Sequence, residues 1–88
     1  MTEQKITVVN RAGVHARPAA LIVQTIKNFK CNIFISKEQD KINAKSIMGV
    51  ITLGAGYGTE LVISAEGEDE VQAVEALVHL FESKFEED

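Results

Sequence analysis

Apolar residues in the first third of the chain change spacing from that of a strand to that of a helix. Residues 5–9 are rich in β-branched side chains and predict a strand. Pro18 falls inside the first turn of the following segment, where its missing N–H costs little. Residues 16–28 are predicted to be helical because four apolar positions share one helical face: Ala19, Ile22, Val23 and Ile26.

The middle of the chain alternates with a period of two and then changes to a short helical segment. Residues 31–36 alternate in polarity, and a polar turn leads into a second short strand at residues 41–44, so the two strands are predicted to form a hairpin. Residues 47–53 are predicted to form a short helix. Ser46 is suited to be its N-cap, and Gly54 to end it.

The last third predicts one more strand and a long helix. Residues 59–65 predict the strand, and the acidic residues 68–70 open the helix. The apolar positions of that helix are Val71, Val74, Leu77, Val78, Phe81 and Phe85. The order β-α-β-β-α-β-α favours an α+β fold, an open-faced β-sandwich whose four-stranded antiparallel sheet carries the helices on one face. A chain of 88 residues can hold one core, so residues 1–88 are predicted to form a single domain.

Composition and charge narrow the class of protein. Nine basic and 13 acidic residues give a net charge of −4, which argues against the phosphate-backbone attraction of a nucleic-acid-binding protein. The longest apolar runs are too short for membrane insertion, and the first residues lack the pattern of a secretory signal. The single cysteine cannot form an internal disulfide. We therefore expect a cytoplasmic protein.

His15 is the strongest candidate for chemistry. It lies at the predicted start of a helix, between Gly13, which permits a tight turn, and Pro18, which fixes the first turn. Free N–H groups at a helix start favour anions, and Arg17 adds a forked donor for phosphate oxygens. The sequence thus predicts an anion site beside an imidazole, a side chain that can act as a nucleophile.

Other kinds of site have weaker support. His15 and His79 are the only histidines, and Cys31 has no ligand partner at a suitable spacing, so no metal site and no cofactor are predicted. A Gly-x-Ser-x-Gly elbow is absent. The glycine-rich residues 54–58 lack the Lys and Ser/Thr of a phosphate-binding loop and are predicted to form a turn.

Two separated motifs resemble the HPr family, the histidine phosphocarriers of the bacterial sugar phosphotransferase system. The first is Gly-Val-His-Ala-Arg-Pro-Ala at residues 13–19, and the second is Lys-Ser-Ile-Met-Gly-Val at residues 45–50. The resemblance implies that phosphorylated Enzyme I phosphorylates His15 on Nδ1 and that the group then passes to a sugar-specific IIA domain. It implies that Arg17 steadies the phosphoryl group. It also implies that an ATP-dependent HPr kinase/phosphorylase modifies Ser46.

A phosphate on Ser46 would add about −1.5 to −2 charge at a helix N-terminus, which the fold tolerates. We expect this charge to act on the docking of partners beside an apolar patch. The patch consists of Ala20, Ile47, Met48 and Ile51. Packing into the core is an equally good interpretation of these side chains.

One position departs from the family pattern. Ala12 stands where relatives often carry a polar Ser or Asn, so it offers no side-chain hydrogen bond to the phosphoryl group. A second function therefore stays open, that of a regulatory interaction module in which phosphorylation of Ser46 governs binding to a transcriptional regulator or an enzyme.

Overall fold

The computed structural model describes residues 1–86, so the last two residues of the predicted 1–88 domain lie outside the described part. The elements in chain order are β1 Thr2–Thr7, α1 Ala16–Ile26, β2 Asn32–Lys37, β3 Asp40–Asn43, α2 Ile47–Leu53, β4 Glu60–Glu66, α3 Glu70–Glu82 and a 3₁₀ turn Lys84–Glu86. The predicted order of strands and helices is therefore confirmed. Each predicted strand lies within a few residues of its observed bounds.

The four strands form one antiparallel sheet in the order β1-β4-β2-β3. The register places Ile63 of β4 between Gln4 of β1 and Ile35 of β2. Since side chains alternate between the two faces of a strand, alternate residues of β2 and β4 point into the core. The buried apolar positions of these two strands are Ile33, Ile35, Leu61, Ile63 and Ala65.

The helices complete the core. α3 packs on β1 and β4, α1 packs against both α2 and α3, and α2 packs against β3. Ala19, Ile22 and Ile26 of α1 are fully buried, as their helical spacing predicts. The predicted open-faced sandwich is confirmed. In this fold α1 and α2, the helices that follow His15 and Ser46, pack against each other.

Two element ends differ from the prediction. β1 covers Thr2–Thr7 rather than residues 5–9, because its polar first residues pair with β4 as far as Ala65. Val8 still bonds across to Thr59, and the chain turns away after it. α1 ends at Ile26 with Lys27 as its C-cap, and a turn from Ile26 to Phe29 replaces the predicted last residues.

The long helix departs from its predicted apolar face at both ends. Val71 is 51 % exposed, because it lies two residues, and so about 200° around the helix, from the buried Ala73. Phe85 is not helical: Lys84 and Phe85 have φ values of 58° and 54°, and the chain turns back there. Its ring is nevertheless buried and packs edge-on against Phe81, with centroids 4.8 Å apart.

Candidate functional site

His15 is the N-cap of α1. Its backbone is extended, and its carbonyl oxygen accepts the first hydrogen bond of the helix from the Ala19 amide at 2.9 Å. The imidazole is exposed and makes no capping hydrogen bond to the helix amides. Pro18 is buried in the first turn, as its position predicts. The structure therefore presents the side chain of His15 at the surface from a fixed point of the backbone.

The first turn of α1 provides groups that suit an anion. The amides of Ala16 and Arg17 precede the first residue that donates within the helix, so they lie outside its hydrogen-bond ladder. Arg17 is exposed on the same turn, two residues after His15. Helix-start amides and a guanidinium together can hold the oxygens of a phosphoryl group.

A tight turn at residues 10–13 leads into this helix start. The Asn10 side chain is fully buried, and its Nδ2 donates to the Gly13 carbonyl oxygen at 2.7 Å. The Gly13 amide donates back to the Asn10 carbonyl oxygen at 3.2 Å. Sequence reasoning did not select Asn10. The available signal was an Asn followed three residues later by Gly, a pattern typical of turns.

The glycine-rich residues 54–58 support the same turn. The Val14 amide donates to the Ala55 carbonyl oxygen at 2.8 Å, and the Gly58 amide donates to the Val8 carbonyl oxygen at 2.8 Å. Gly13 has a φ of 74°, and a Cβ there would lie 2.8 Å from the Ala55 carbonyl oxygen and 2.9 Å from the Cα of Gly56. Residues 54–58 thus form a turn, as predicted, and this turn also positions the segment that carries His15.

Ser46 is the N-cap of α2, as predicted. Its Oγ accepts a hydrogen bond from the Gly49 amide at 3.0 Å, and Gly54 ends the helix in the left-handed conformation. The side chain of Ser46 is exposed. A Cβ on Gly49 would lie 3.3 Å from the Ser46 Oγ, so the glycine leaves room around the hydroxyl. A kinase could reach this hydroxyl without unfolding the helix.

The four residues of the predicted apolar patch differ in exposure. Met48 is 66 % exposed and Ile47 is 42 % exposed, so neither packs into the core. Ala20 and Ile51 are half-buried, and Ile51 packs against the core. The patch lies on α1 and α2, which pack against each other. Its role in binding partners stays a prediction.

Cys31 is a poor alternative nucleophile. The side chain is 2 % exposed, and burial, together with the neighbouring Asp69 carboxylate, raises the pKa of the thiol to about 11. At neutral pH the thiolate form is therefore rare. Ala12 is exposed beside the turn and presents only a methyl group.

Within residues 1–86, no three His, Cys, Asp or Glu side chains come together in a way that could hold a metal ion. In that part of the chain, no helix has the length and apolar character needed to cross a bilayer.

Comparison with known proteins places this geometry in a family. Residues 2–83 match PTS-HPr, described as the PTS HPr component phosphorylation site. The chain is 51 % identical to the phosphocarrier protein HPr of Treponema pallidum, with full coverage of both proteins. It is 47 % identical over 77 residues to the HPr-like protein Crh of Bacillus subtilis, which covers 88 % of this chain and 91 % of that protein. The crystal structure of HPr-C-His from Thermoanaerobacter tengcongensis aligns with a TM-score of 0.96 at 51 % identity, covering 100 % of this chain and 99 % of the other. The chain belongs to the HPr family of phosphocarriers of the phosphotransferase system.

Proposed function

We propose that His15 accepts a phosphoryl group from phosphorylated Enzyme I and passes it to sugar-specific IIA domains in the cytoplasm. The observation that carries this proposal is an exposed imidazole at the N-cap of α1, with Arg17 in the first turn of the helix. In the first step the lone pair of a neutral imidazole nitrogen forms the N–P bond as the bond between phosphorus and the donor breaks. The second step repeats this exchange with the IIA domain as acceptor.

The surroundings of His15 are suited to hold the phosphoryl group between the two steps. The amides of Ala16 and Arg17 lie at the positive end of α1, where a negative charge is stabilised. The Arg17 guanidinium offers several donors in a fixed plane. Because Ala12 has no polar side chain, these backbone amides and Arg17 carry most of the interaction.

Phosphoryl transfer from phosphoenolpyruvate through Enzyme I is the direct test. The wild-type protein should gain an acid-labile, base-stable phosphate, and His15→Ala should gain none. His79→Ala is the matched control, since His79 is an exposed histidine in the last turn of α3. Equal labelling of His15→Ala and wild type would contradict the proposal.

The role of Arg17 is tested separately. Arg17→Gln keeps a polar side chain and removes the guanidinium and its charge, so the phosphorylation rate should fall by roughly 10- to 100-fold, the range expected for loss of a charge-assisted contact. Lys27→Gln, an exposed cation at the other end of α1, is the control. An unchanged rate for Arg17→Gln would remove Arg17 from the site.

A second role is favoured by the position of Ser46. We propose that an HPr kinase/phosphorylase phosphorylates its exposed hydroxyl and that the added charge changes the binding of partners at the patch formed by Ala20, Ile47, Met48 and Ile51. An N-cap phosphate meets helix-start amides, so α2 should stay folded. Docking to an acidic surface of Enzyme I would weaken, and binding to a transcriptional regulator would become dependent on phosphorylation.

Two measurements test this regulatory role. Incubation with ATP and an HPr kinase/phosphorylase should label wild type and leave Ser46→Ala unlabelled; no label on wild type, or equal label on both, would contradict it. Ser46→Asp should weaken binding to Enzyme I, measured by titration calorimetry. Asn32→Asp, which adds the same charge on an exposed position of β2, is the control. Unchanged affinity of Ser46→Asp for Enzyme I would show that a negative charge at residue 46 does not control docking.

A further inference from the structure

We propose that Asn10 is a positioning residue for phosphoryl transfer at His15, an inference that rests on the proposed function. Asn10 is a polar side chain with no exposed surface, lying just before the functional helix. A buried amide is unfavourable unless it is hydrogen-bonded. Its Nδ2 donates to the Gly13 carbonyl oxygen at 2.7 Å, so the side chain holds one defined point of the backbone.

That point is two residues before His15. The Gly13 carbonyl group belongs to the peptide bond that leads into Val14, and its direction sets the path of the chain into the helix start. Gly13 itself adopts a φ of 74°, one of several conformations that are open to a glycine. Asn10 helps to select this conformation, because its backbone carbonyl oxygen accepts from the Gly13 amide and its side-chain amide donates to the Gly13 carbonyl oxygen.

A second contact fixes the next residue from the opposite direction. The Val14 amide donates to the Ala55 carbonyl oxygen at 2.8 Å, and the Val14 side chain is buried. Asn10 and the turn at residues 54–58 therefore hold the same peptide group, the first by its carbonyl oxygen and the second by its amide. His15 follows directly, with its carbonyl oxygen committed to the first hydrogen bond of α1.

The expected effect of Asn10 follows from this arrangement. Asn10 adds no charge and does not lie on the exposed patch of α1 and α2, so its loss should leave the docking of Enzyme I unchanged. It should instead widen the range of positions that the imidazole occupies. Since a displacement of about 1 Å at a reacting group can slow a reaction by about 100-fold, we expect Asn10→Ala to lower the rate constant at saturating phospho-Enzyme I by roughly 10-fold. The KM for Enzyme I should change by less than about 2-fold, since uniform binding is retained.

The experiment combines kinetics with hydrogen exchange. Transfer from phospho-Enzyme I is followed by rapid quench, at a temperature where each variant is fully folded by circular dichroism. Exchange of the Val14 amide hydrogen is followed by NMR in the same variants. In Asn10→Ala the Val14 amide should exchange faster, while the Ala19 amide, which bonds within the first turn of α1, should keep its protection. Ile63→Val, a smaller side chain in the distant core of the sheet, controls for loss of stability alone and should transfer at the wild-type rate.

Each result decides between the alternatives. A slower rate constant with unchanged KM and faster Val14 exchange supports the positioning role. A wild-type rate constant in folded Asn10→Ala, unchanged Val14 exchange, or an equal slowing in Ile63→Val overturns it. If Asn10→Ala does not fold, Asn10→Ser carries the same test, because its hydroxyl can donate over a shorter reach and should give an intermediate rate. Failure of the wild-type protein to accept phosphate would be a separate result, which overturns the proposed function itself.

Discussion

The starts of α1 and α2 use their N-cap residues in opposite ways. The Ser46 hydroxyl accepts a hydrogen bond from the Gly49 amide, so the side chain stabilises its own helix. His15 occupies the same position on α1, and its side chain makes no capping bond. One cap is part of the helix, and the other is presented to the surface.

This difference shows where the order of the His15 site comes from. Since the His15 side chain makes no capping bond to α1, the order of this helix start draws on the preceding segment. The Asn10 amide, the left-handed Gly13 and the Ala55 carbonyl oxygen hold that segment. The Ser46 end has a local cap, whereas the His15 end depends on contacts between distant parts of the chain.

Removing the external support of α1 should have the largest effect. Gly13→Ala places a Cβ 2.8 Å from the Ala55 carbonyl oxygen on a residue with a φ of 74°. The strained backbone and the steric overlap together should lower the free energy of unfolding by roughly 2–4 kcal/mol, measured by urea denaturation. They should also slow phosphorylation of His15.

Gly56→Ala is the matched control in the turn that faces Gly13, because a Cβ there meets nothing within 4 Å. It should keep both stability and transfer close to wild type. Comparable losses of stability and transfer in Gly13→Ala and Gly56→Ala would mean that these turns are sensitive to any added side chain. The effect could then not be assigned to the contact between residue 13 and Ala55.

The next effect compares the two caps directly. Ser46→Ala removes the acceptor for the Gly49 amide and should cost about 1 kcal/mol of unfolding free energy. His15→Ala removes no capping bond and should cost less than about 0.5 kcal/mol, as for most surface substitutions. Thermal and urea unfolding of both variants in one buffer measure the difference. If His15→Ala were the more destabilised variant, the two helix starts would not differ as described.

The local features of this comparison were predictable from the sequence. Ser46 and Gly54 are typical residues for the two ends of a helix, and both are confirmed as caps of α2. The position of His15 followed from helical spacing and Pro18 in the same way. Such features depend on a few neighbouring residues, so the sequence alone carries the information.

The contact that holds the Val14 amide was not predictable in that way. The Ala55 carbonyl oxygen accepts from this amide only once residues 54–58 have folded against the turn at residues 10–13, whereas the Asn10–Gly13 contact lies within one local turn. Val71 shows the same limit for the core. Its spacing fits an apolar face, but only the packing of α3 on the sheet decides which of its apolar residues is left exposed.

A contact at the C-terminal end of α2 should have a smaller effect on the free energy of unfolding. The Lys37 ammonium donates to the Leu53 carbonyl oxygen at 3.1 Å, at the negative end of the helix. Lys37→Met keeps most of the aliphatic length and removes the charge, and should cost about 0.3–1 kcal/mol in urea unfolding. Lys30→Met, an exposed lysine outside the helices, should be neutral by comparison. Equal effects would indicate that net charge, rather than the contact with α2, is responsible.

The start of α3 shows a third arrangement, in which acidic side chains bond to other segments of the chain. The N-cap carboxylate of Asp69 accepts hydrogen bonds from the Lys30 and Cys31 amides rather than capping its own helix. Glu70 accepts a hydrogen bond from the Thr2 hydroxyl at 2.6 Å and one from the Gly67 amide at 3.0 Å. These carboxylates connect α3 to other segments of the chain.

This connection predicts a dependence of stability on pH. The Thr2 hydroxyl, the Gly67 amide and the N-terminal ammonium group lower the pKa of Glu70 from 4.5 to about 2. Because the folded-state pKa lies below the unfolded one, the contribution of Glu70 is complete above about pH 5 and is lost as the pH falls towards 2. Glu70→Gln should therefore flatten the fall in melting temperature between pH 5 and pH 2. Some slope should remain, since the Lys30 amide also lowers the pKa of Asp69. Glu75→Gln, an exposed residue on the same helix, should keep the wild-type slope, and identical slopes in wild type and Glu70→Gln would show that the Thr2–Glu70 contact does not hold α3 to β1 in solution.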